Sequence, residues 1–430
     1  MKIFIGLREL SGYYHNLKQG FDALGIETVF VNLSGHPYQY GTDANPAWIN
    51  GINRMAQKIG TRFFSSWTLR ILWTCFFQNI ISLFLFFWAL FKFDAFIFGS
   101  NSTFFFFLDL PILKLCGKKI IYVFHGSEAR PVYLNGYVMK DDRKTTIWLG
   151  IVLARIQKLM IALIDRFADC SINIPPQAYF HTRPFVSWLM VGVPHHITAA
   201  KPILDFSKRS DTSVRILHAP SKPGPKGTPV IRQAIQTLKE KGHQIDYVEI
   251  TGRPNREVLE ELERCDFVVD EIYSDTPMAV FATEAAFAGK PTIVGGYYAR
   301  DIIKDVPVAC IPPSLFCHPD DLERSIEKMV TDKTYREELG KKAFEFVRTH
   351  WSAKMVAARY MQLIKDDIPK EWFYDPYQIR YLHGCGLSEE KARRIIRGFI
   401  TVAGPGALCL RDKPELVQLF IQFASVEKPS

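Results

Sequence analysis

The stretch YSDTPMAVFATEAAFAGKPTIVG, residues 273–295, predicts a loop, a helix, a turn and a strand in succession. The Ser-Asp-Thr run at 274–276 consists of residue types that cap helix N-termini. Pro277 suits the first helical turn, where the N–H it lacks would be unpaired anyway. Gly289 is a typical C-cap residue, and Pro291 prevents the helix from continuing. The apolar residues that follow predict a short buried strand.

This helix start predicts a site for an anion. A helix N-terminus at 275–277 would carry unpaired N–H groups and partial positive charge, so we place Asp275 and Thr276 beside a phosphate. Glu284 lies in an alanine-rich turn, where packing alone explains a carboxylate poorly. A carboxylate near a phosphate suits the hydroxyl donors of a ribose. The alternative is an ordinary strand–helix unit in which Glu284 is solvated.

The composition is that of a globular protein of at least two domains. The chain has 430 residues, 48% of them hydrophobic and 23% charged. Its eight cysteines form no CxxC pair and no Cys/His cluster, which indicates a reducing compartment and argues against structural zinc. The N-terminus, MKIFIGLREL, lacks the apolar core and cleavage site of a signal peptide. We therefore expect a cytoplasmic location.

The net charge of +9 is unevenly distributed. Residues 1–200 hold 19 Lys and Arg against 11 Asp and Glu, which gives +8, whereas the remainder holds 34 against 33, which gives +1. The basic half favours an anionic partner: a phospholipid surface, a lipid-phosphate acceptor or nucleic acid. The alternative is a merely soluble basic surface. Nucleic acid is disfavoured because no concentrated Lys/Arg stripe is present.

The first 33 residues predict a strand at 2–7, a turn at 11–12, a helix at 13–24 and a second strand at 26–33. This is the start of a Rossmann-like domain without the full GxGxxG pattern. Gly12, at the strand-to-helix turn, would allow a ligand to approach the backbone; a plain tight turn is the alternative.

Residues 71–91 are uncharged and long enough for a membrane span. Thr74, Gln78 and Ser82 recur every fourth residue, however, and form one polar stripe. A buried strand is predicted immediately afterwards, at 93–99. We therefore expect a helix that packs on the sheet or dips into the lipid interface rather than a true span.

The strand predicted at 118–126 ends in His125, within HGSEAR. Ligands of open α/β sheets bind beyond the carboxyl ends of strands, where a histidine can orient or deprotonate a substrate hydroxyl. The alternative is a histidine that is only hydrogen-bonded within the structure.

A second strand–helix alternation starts at 214, after a polar linker predicted at 201–213. Lys222 and Lys226 occupy its first strand-to-helix loop, where a cation would neutralise a leaving diphosphate; solvated loop lysines are the alternative. Gly252 ends the next strand, 246–252, and we place it at the same ligand site.

Residues 351–430 lack the strand–helix alternation of the preceding domain. From residue 366 onward this segment is aromatic and predicted to be helical. It is interpreted as a helical extension to two Rossmann-like domains, 1–200 and 214–350.

The sequence resembles the GT-B glycosyltransferases, in particular the large retaining family 4 that includes sucrose and mannosyl transferases. The features that carry the resemblance are, in chain order, Gly12, FHGSEAR, VGVP, the Lys226-Gly227 pair and TEAAFAGKPTIVGG. The resemblance covers residues 1–365. It implies two facing Rossmann-like domains with a nucleotide-sugar in the cleft between them.

By this resemblance Glu284 would bind the ribose, Lys226 the diphosphate, and His125 would lie at the reacting centre. Two positions depart from the family pattern. Thr276 stands where the family has another Glu, and Pro220 stands where it has an Arg, so Ser221 or Lys222 would have to substitute.

The expected activity is transfer of a hexosyl group from a nucleotide-diphosphate-sugar to a glycan or lipid-linked acceptor, in cell-surface polysaccharide biosynthesis. By resemblance the reaction would be retaining. The resemblance also implies that no cofactor or metal is needed, and the lack of a DxD-type site in the sequence agrees with this. The alternative is a non-catalytic GT-B-like binding or scaffold protein of a polysaccharide assembly complex. A GT-B epimerase would share the donor site but need acids and bases on both faces of the sugar.

Overall fold

The computed structural model describes residues 1–33, 51, 67–195 and 213–426, with only the backbone described for residues 67–79. The predicted linker at 201–213 lies outside the described residues, apart from Ser213.

The first domain is built on a seven-stranded sheet. Its strands are β1 (Ile3–Leu7), β2 (Thr28–Asn32), β3 (Ala95–Gly99), β4 (Lys119–Val123), β5 (Cys170–Asn173), β6 (Phe185–Ser187) and β12 (Phe373–Tyr374), in the spatial order β12-β6-β5-β4-β3-β1-β2. All pairs are parallel except β12 with β6. Nearly every strand residue is buried, as expected for a parallel sheet covered on both faces.

The connecting helices are α1 (Tyr13–Asp22), α2 (Trp67–Lys92), α3 (Leu110–Leu115), α4 (Lys144–Phe167) and α5 (Trp188–Val191). The connections through α2, α3 and α4 all run across the sheet in the direction of β6, whereas α1 leads the opposite way to β2. Because parallel crossovers are right-handed, α2, α3 and α4 cover one face of the sheet and α1 covers the other.

The stretch predicted as a packed or interfacial helix forms α2, directly before β3. In its described half, Leu85 and Ala89 are fully buried and Ser82 is buried as well, so this half packs on the protein, in line with the first of the two alternatives. The side chains of Thr74 and Gln78 lie outside the described residues. Within the described ranges one helix, α4, is long and apolar enough to cross a membrane, and 39% of its apolar 18-residue stretch is buried inside the protein.

The second domain is a five-stranded parallel sheet with helices on both faces. Its strands are β7 (Val214–His218), β8 (Ile245–Glu249), β9 (Phe267–Val269), β10 (Thr292–Gly295) and β11 (Leu315–Cys317), in the order β11-β10-β9-β7-β8. Its helices are α6 (Pro223–Lys226), α7 (Thr228–Glu240), α8 (Asn255–Arg264), α9 (Val280–Phe287), α10 (Ile302–Asp305), α11 (Leu322–Thr331) and α12 (Lys333–His350).

The C-terminal segment returns to the first domain. Helix α13 (Ala353–Ile364) packs on α1 so closely that a Cβ on Gly20 would lie 2.1 Å from the Ala353 carbonyl oxygen. Helices α14 (Glu389–Ala403) and α15 (Pro414–Ser425) follow, and α14 packs on α4. The ring of Tyr133 lies edge-on to Phe399 of α14 and Phe420 of α15. The predicted helical extension therefore also adds a strand, β12, to the first sheet.

Two Rossmann-like parallel sheets, followed by a C-terminal helix that crosses back to the first domain, define a GT-B fold. The fold class predicted from the sequence is confirmed.

Candidate functional site

A cavity of about 410 Å³ lies between the two domains at the carboxyl ends of their strands. The first domain contributes Ser11, after β1, and four residues after β4: His125, Gly126, Ser127 and Arg130. The second domain contributes residues after β7, β8 and β9: 219–221; Ile250, Gly252, Arg253 and Asn255; and Glu271, Asp275 and Thr276. The chain reverses its direction across each sheet beside β1 and β7, and such reversals are where open α/β sheets bind ligands.

The helix predicted to start at 275–277 begins at Val280, so that prediction was wrong. The hydroxyl of Ser274 instead accepts from the Thr276 N–H at 3.3 Å and donates to the Thr276 carbonyl at 2.9 Å, which fixes a loop. The predicted end of the helix agrees with the structure: α9 stops at Phe287, and Gly289 has a φ of 73°.

Glu284 lies on α9 and lines the cavity. Its Oε1 accepts a hydrogen bond of 3.3 Å from Asn255 Nδ2, at the start of α8. Gly252 and Arg253 border the same end, and the Arg253 side chain is 66% exposed. We call this region, residues 252–255 with Glu284, the open end of the cavity.

Lys226 lines another part of the cavity, where its charge is already paired. Its Nζ lies 2.9 Å from Asp270 Oδ1 and 3.2 Å from Glu271 Oε2. Burial alone would lower the pKa of Lys226, but the two carboxylates outweigh it and raise that pKa well above 10.5. The hydroxyl of Tyr137 donates to Glu271 at 3.3 Å.

A second ion pair in the same region crosses from one domain to the other. Arg130, after β4, donates from Nε to Asp275 Oδ2 at 2.8 Å, and its Nη2 pairs with the same carboxylate. Gln177 Nε2 donates to that oxygen at 3.2 Å. Arg130 and Asp275 are 4% and 3% exposed, so the carboxylate expected at a phosphate serves a buried link between the domains. We call this region, with Lys226, Asp270 and Glu271, the closed end.

His125 lines the cavity on the first-domain side. Its Nε2 lies 2.8 Å from the Tyr14 hydroxyl, and its backbone N–H donates to Glu128 Oε1 at 2.7 Å. Desolvation lowers the pKa of His125 to about 3, so the ring is neutral near pH 7. A neutral imidazole held by Tyr14 can orient a hydroxyl, whereas its lowered pKa makes it a poor proton acceptor.

Of four further residues named from the sequence, two line the cavity and two do not. Ser221 and Thr276 line the cavity, and Thr276 Oγ1 is buried with no hydrogen-bond partner among the described residues. Gly12 starts α1 with a φ of 81°, but its neighbour Ser11 is the residue that lines the cavity. Lys222 points away to a separate surface hollow, 5.7 Å from the Tyr137 ring centre.

Sequence reasoning missed Arg130, Gln177, Asp270, Glu271 and Asn255. Three of them had a signal, because Asp270 and Glu271 end a strand as His125 does, and Arg130 closes the HGSEAR motif. Cys385, from the C-terminal segment, also lines the cavity, and no local pattern predicts this.

No protein-family model and no curated protein sequence matches the chain. Solved structures with similar folds include Anabaena Alr3699/HepE in complex with UDP-glucose, at 10% sequence identity and a TM-score of 0.48, covering 85% of this chain and 99% of that one. WaaG, a glycosyltransferase involved in lipopolysaccharide biosynthesis, aligns at 11% identity and a TM-score of 0.47, covering 85% and 99% of the two chains. The catalytic domain of Arabidopsis thaliana starch synthase IV, bound to ADP and acarbose, aligns at 12% identity and a TM-score of 0.46, covering 85% and 98%.

Among the described residues, no group of three or more His, Cys, Asp or Glu side chains is arranged to hold a metal ion.

Proposed function

We propose that this protein is a glycosyltransferase that moves a hexosyl group from a nucleotide-diphosphate-sugar to a glycan or lipid-linked acceptor. The observation that carries the proposal is the cavity itself. It lies at the carboxyl ends of both sheets and brings Glu284, Lys226 and His125 to one space of about 410 Å³. That volume is within the range of small-molecule and cofactor sites.

In this proposal the nucleoside binds at the open end. The carboxylate of Glu284 accepts hydrogen bonds from the ribose hydroxyls, with Asn255 beside it to hold the carboxylate in place. Val258, Ile250 and Phe281 line the same end and offer an apolar surface to a base.

The diphosphate then extends toward Lys226. Asp270 and Glu271 offset the charge of the Lys226 ammonium but hold it at a fixed point of the cavity wall, so that it can donate a hydrogen bond to a departing diphosphate without rearrangement. Arg253, at the mouth, supplies a second positive charge. The loop at 274–276 contributes no helix N-terminus to this stabilisation, which is the main change from the sequence-based expectation.

The sugar would lie between Thr276 and His125. The unpartnered Oγ1 of Thr276 is available to a sugar hydroxyl, at the position where the family pattern has a longer carboxylate. The neutral ring of His125 orients a hydroxyl at the reacting carbon, and the rate comes mainly from positioning and charge stabilisation. Retention and independence of metal are part of this proposal.

The acceptor side is assigned to the first domain, because residues 1–200 carry a net charge of +8 and most lipid-linked acceptors are anionic. We infer a location on the cytoplasmic face of a membrane and a role in cell-surface polysaccharide synthesis.

Calorimetric titration tests the donor site. We expect one of UDP, GDP and dTDP to bind the wild type, and Glu284→Ala to weaken that binding by roughly tenfold because two ribose hydrogen bonds are lost. Glu260→Ala, at an exposed position of α8 that pairs with Arg256 outside the cavity, is the matched control and should bind like the wild type. Equal affinity in all three proteins would remove Glu284 from the site. A thermal-shift screen with the corresponding sugar nucleotides would identify the donor.

The second candidate function is a non-catalytic binding or scaffold protein. It is favoured by the closed end, where Lys226 and Arg130 are each neutralised by carboxylates. Turnover distinguishes the two candidates, because an enzyme should slowly hydrolyse its donor without acceptor. His125→Ala should lower the rate of this hydrolysis more than it lowers the affinity for the donor. Wild-type turnover in His125→Ala would contradict the assigned role.

A further inference from the structure

The outer face of the helical layer formed by α2, α3 and α4 is exceptionally apolar for a surface in contact with water. Thirteen of the twenty-three exposed large hydrophobic side chains of the described residues lie on these three helices or the loop before α3. They are Leu83, Phe84, Phe87, Phe91, Phe106, Leu108, Ile112, Leu115, Trp148, Leu149, Val152, Ile156 and Leu159. Concentration of apolar side chains on one surface marks an interaction site, whereas scattered ones need no explanation.

The same pattern occurs independently in two helices. Exposed apolar residues stand at 83, 84, 87 and 91 in α2, and at 148, 149, 152 and 156 in α4, so both follow the spacing i, i+1, i+4, i+8. This spacing places each set on one side of its helix. The opposite sides are buried in the protein, at Leu85 and Ala89 in α2 and at Ile151 and Ala154 in α4.

The two exposed stripes belong to one surface. Because α2, α3 and α4 cover the same face of the sheet, their outer sides all point away from it. Helix α3 packs on α4, and Phe86 of α2 packs against Phe104 and Phe105 of the loop before α3, with ring centres 5.5 Å and 5.4 Å apart. Phe106 and Leu115 are 80% and 87% exposed. Both belong to the segment of chain between the two longer helices, α2 and α4.

The charges associated with this surface are positive. Lys92, Lys144, Arg155 and Arg166 are exposed, and no carboxylate within the described part of the chain lies at ion-pairing distance from any of them. The acidic groups within the same helices and loop are buried: Asp109 is bonded to Thr103, and Asp165 lies against His181. Just outside the ends of α2 and α4, Asp94, Asp141 and Asp142 are partly exposed, and each pairs with a cation.

We propose that the outer face of α2, α3 and α4 is a docking surface for an anionic lipid bilayer, lying in the interface without crossing it. Aromatic and aliphatic side chains on one side of a helix, bordered by Lys and Arg, are the features of helices that lie in the headgroup region. Helix α4 does not span the bilayer, because the strands it joins, β4 and β5, are parallel neighbours in one sheet and its other side packs on α14. This surface makes the membrane location proposed above specific, and it uses no residue of the cavity.

Flotation with vesicles tests the proposal. The full-length protein should bind vesicles of phosphatidylcholine with phosphatidylglycerol more tightly than vesicles of phosphatidylcholine alone. Binding should weaken at about 0.5 M salt, where exposed charges are screened. Leu149→Glu/Leu159→Glu should reduce binding by about tenfold or more, because both side chains are more than half exposed and would carry charge into the interface.

The matched control is Ile303→Glu/Val308→Glu, which adds the same charge at exposed apolar positions of the second domain. It should bind vesicles like the wild type, and both variants should keep the wild-type thermal midpoint and nucleotide affinity. No vesicle binding by the wild type, or equal binding by the two variants, would overturn the proposal. So would a wild-type dimer in sedimentation velocity that Leu149→Glu/Leu159→Glu makes monomeric without any vesicle binding, since the surface would then join two copies. Vesicle binding without any nucleotide binding would leave this inference intact and contradict the proposed enzyme.

Discussion

The two ends of the cavity differ in how their charged groups are satisfied. At the closed end every cation is matched by a buried carboxylate: Lys226 by Asp270 and Glu271, and Arg130 by Asp275. At the open end Arg253 is mostly exposed, and its nearest carboxylate in an ion pair is 3.9 Å away. Buried charges are costly unless paired, whereas exposed ones gain little from pairing. The closed end should therefore dominate the stability of the protein, and the open end should dominate its response to ligands.

The largest expected effect is that of Lys226→Met. Removing the ammonium leaves two buried carboxylates without their cation, and we expect the free energy of unfolding to fall by about 3–5 kcal/mol. Denaturant titration measures it. Adding Glu271→Gln to Lys226→Met should recover part of the loss, because one uncompensated charge disappears. Wild-type stability in Lys226→Met would show that the closed end does not depend on this pairing.

Arg130→Met should be nearly as damaging, at about 3 kcal/mol, because it strips the buried Asp275 of its partner. The loss should be smaller when Asp275→Asn is already present, since the two residues act as one unit. Arg256→Met is the control: Arg256 pairs with Glu260 at 2.9 Å, but both are more than half exposed, so the change should cost about 0–0.5 kcal/mol. Similar losses in the two variants would contradict the role given to burial.

A pH effect of about 2 kcal/mol is expected from His218, which lies under the closed end. Its Nδ1 bonds the Val269 carbonyl at 2.8 Å, and its Nε2 lies 2.8 Å from the Thr228 hydroxyl. Burial lowers the pKa of His218 from 6.5 to about 4. Between pH 6.5 and pH 4 the unfolded chain therefore binds a proton at His218 that the folded chain does not bind. The contribution of His218 to the free energy of unfolding is complete above pH 6.5 and is lost as the pH falls toward 4.

Unfolding curves at pH 7 and pH 5 should show this loss in the wild type and a smaller one in His218→Asn. An equal slope in both proteins would assign the acid sensitivity to other groups.

The smallest effect on stability is expected at the open end. Glu284→Gln keeps the size of the side chain and its hydrogen bond with Asn255, so we expect the free energy of unfolding to change by about 0.5 kcal/mol or less. Nucleotide affinity should nevertheless fall several-fold, because a neutral amide oxygen accepts more weakly than a carboxylate. Thermal unfolding with and without the nucleotide separates the two quantities. A large loss of stability without ligand would place Glu284 with the closed end instead.

The sequence predicted those features that depend on local patterns. Alternating apolar strands and capped helices indicated both Rossmann-like domains, and the rule that ligands bind at the carboxyl ends of strands led to His125. Glu284 was predicted from its place in an alanine-rich turn, and Ser221 from the family resemblance. One local prediction failed, because the Ser274 hydroxyl bonds the backbone of Thr276 and fixes a loop there, so that α9 starts only at Val280.

The pairings at the closed end could not be predicted in this way. Arg130 and Asp275 are 145 residues apart, and Lys226 and Asp270 are 44 apart, so their contacts depend on how the domains and strands meet in space. The same holds for β12 and Cys385, which reach the first domain and the cavity from the far end of the chain.

Because the C-terminal segment packs on the first domain but is synthesised last, the first domain lacks part of its packing during translation. The ribosome releases β6, α1 and α4 long before it makes β12, α13 and α14, which cover them. Until then, the nascent first domain carries an open sheet edge and two helices whose inner sides lack their partners. The half of the protein that is made first can therefore finish folding only after the second half, and it should depend on chaperones that hold exposed apolar surface during that interval.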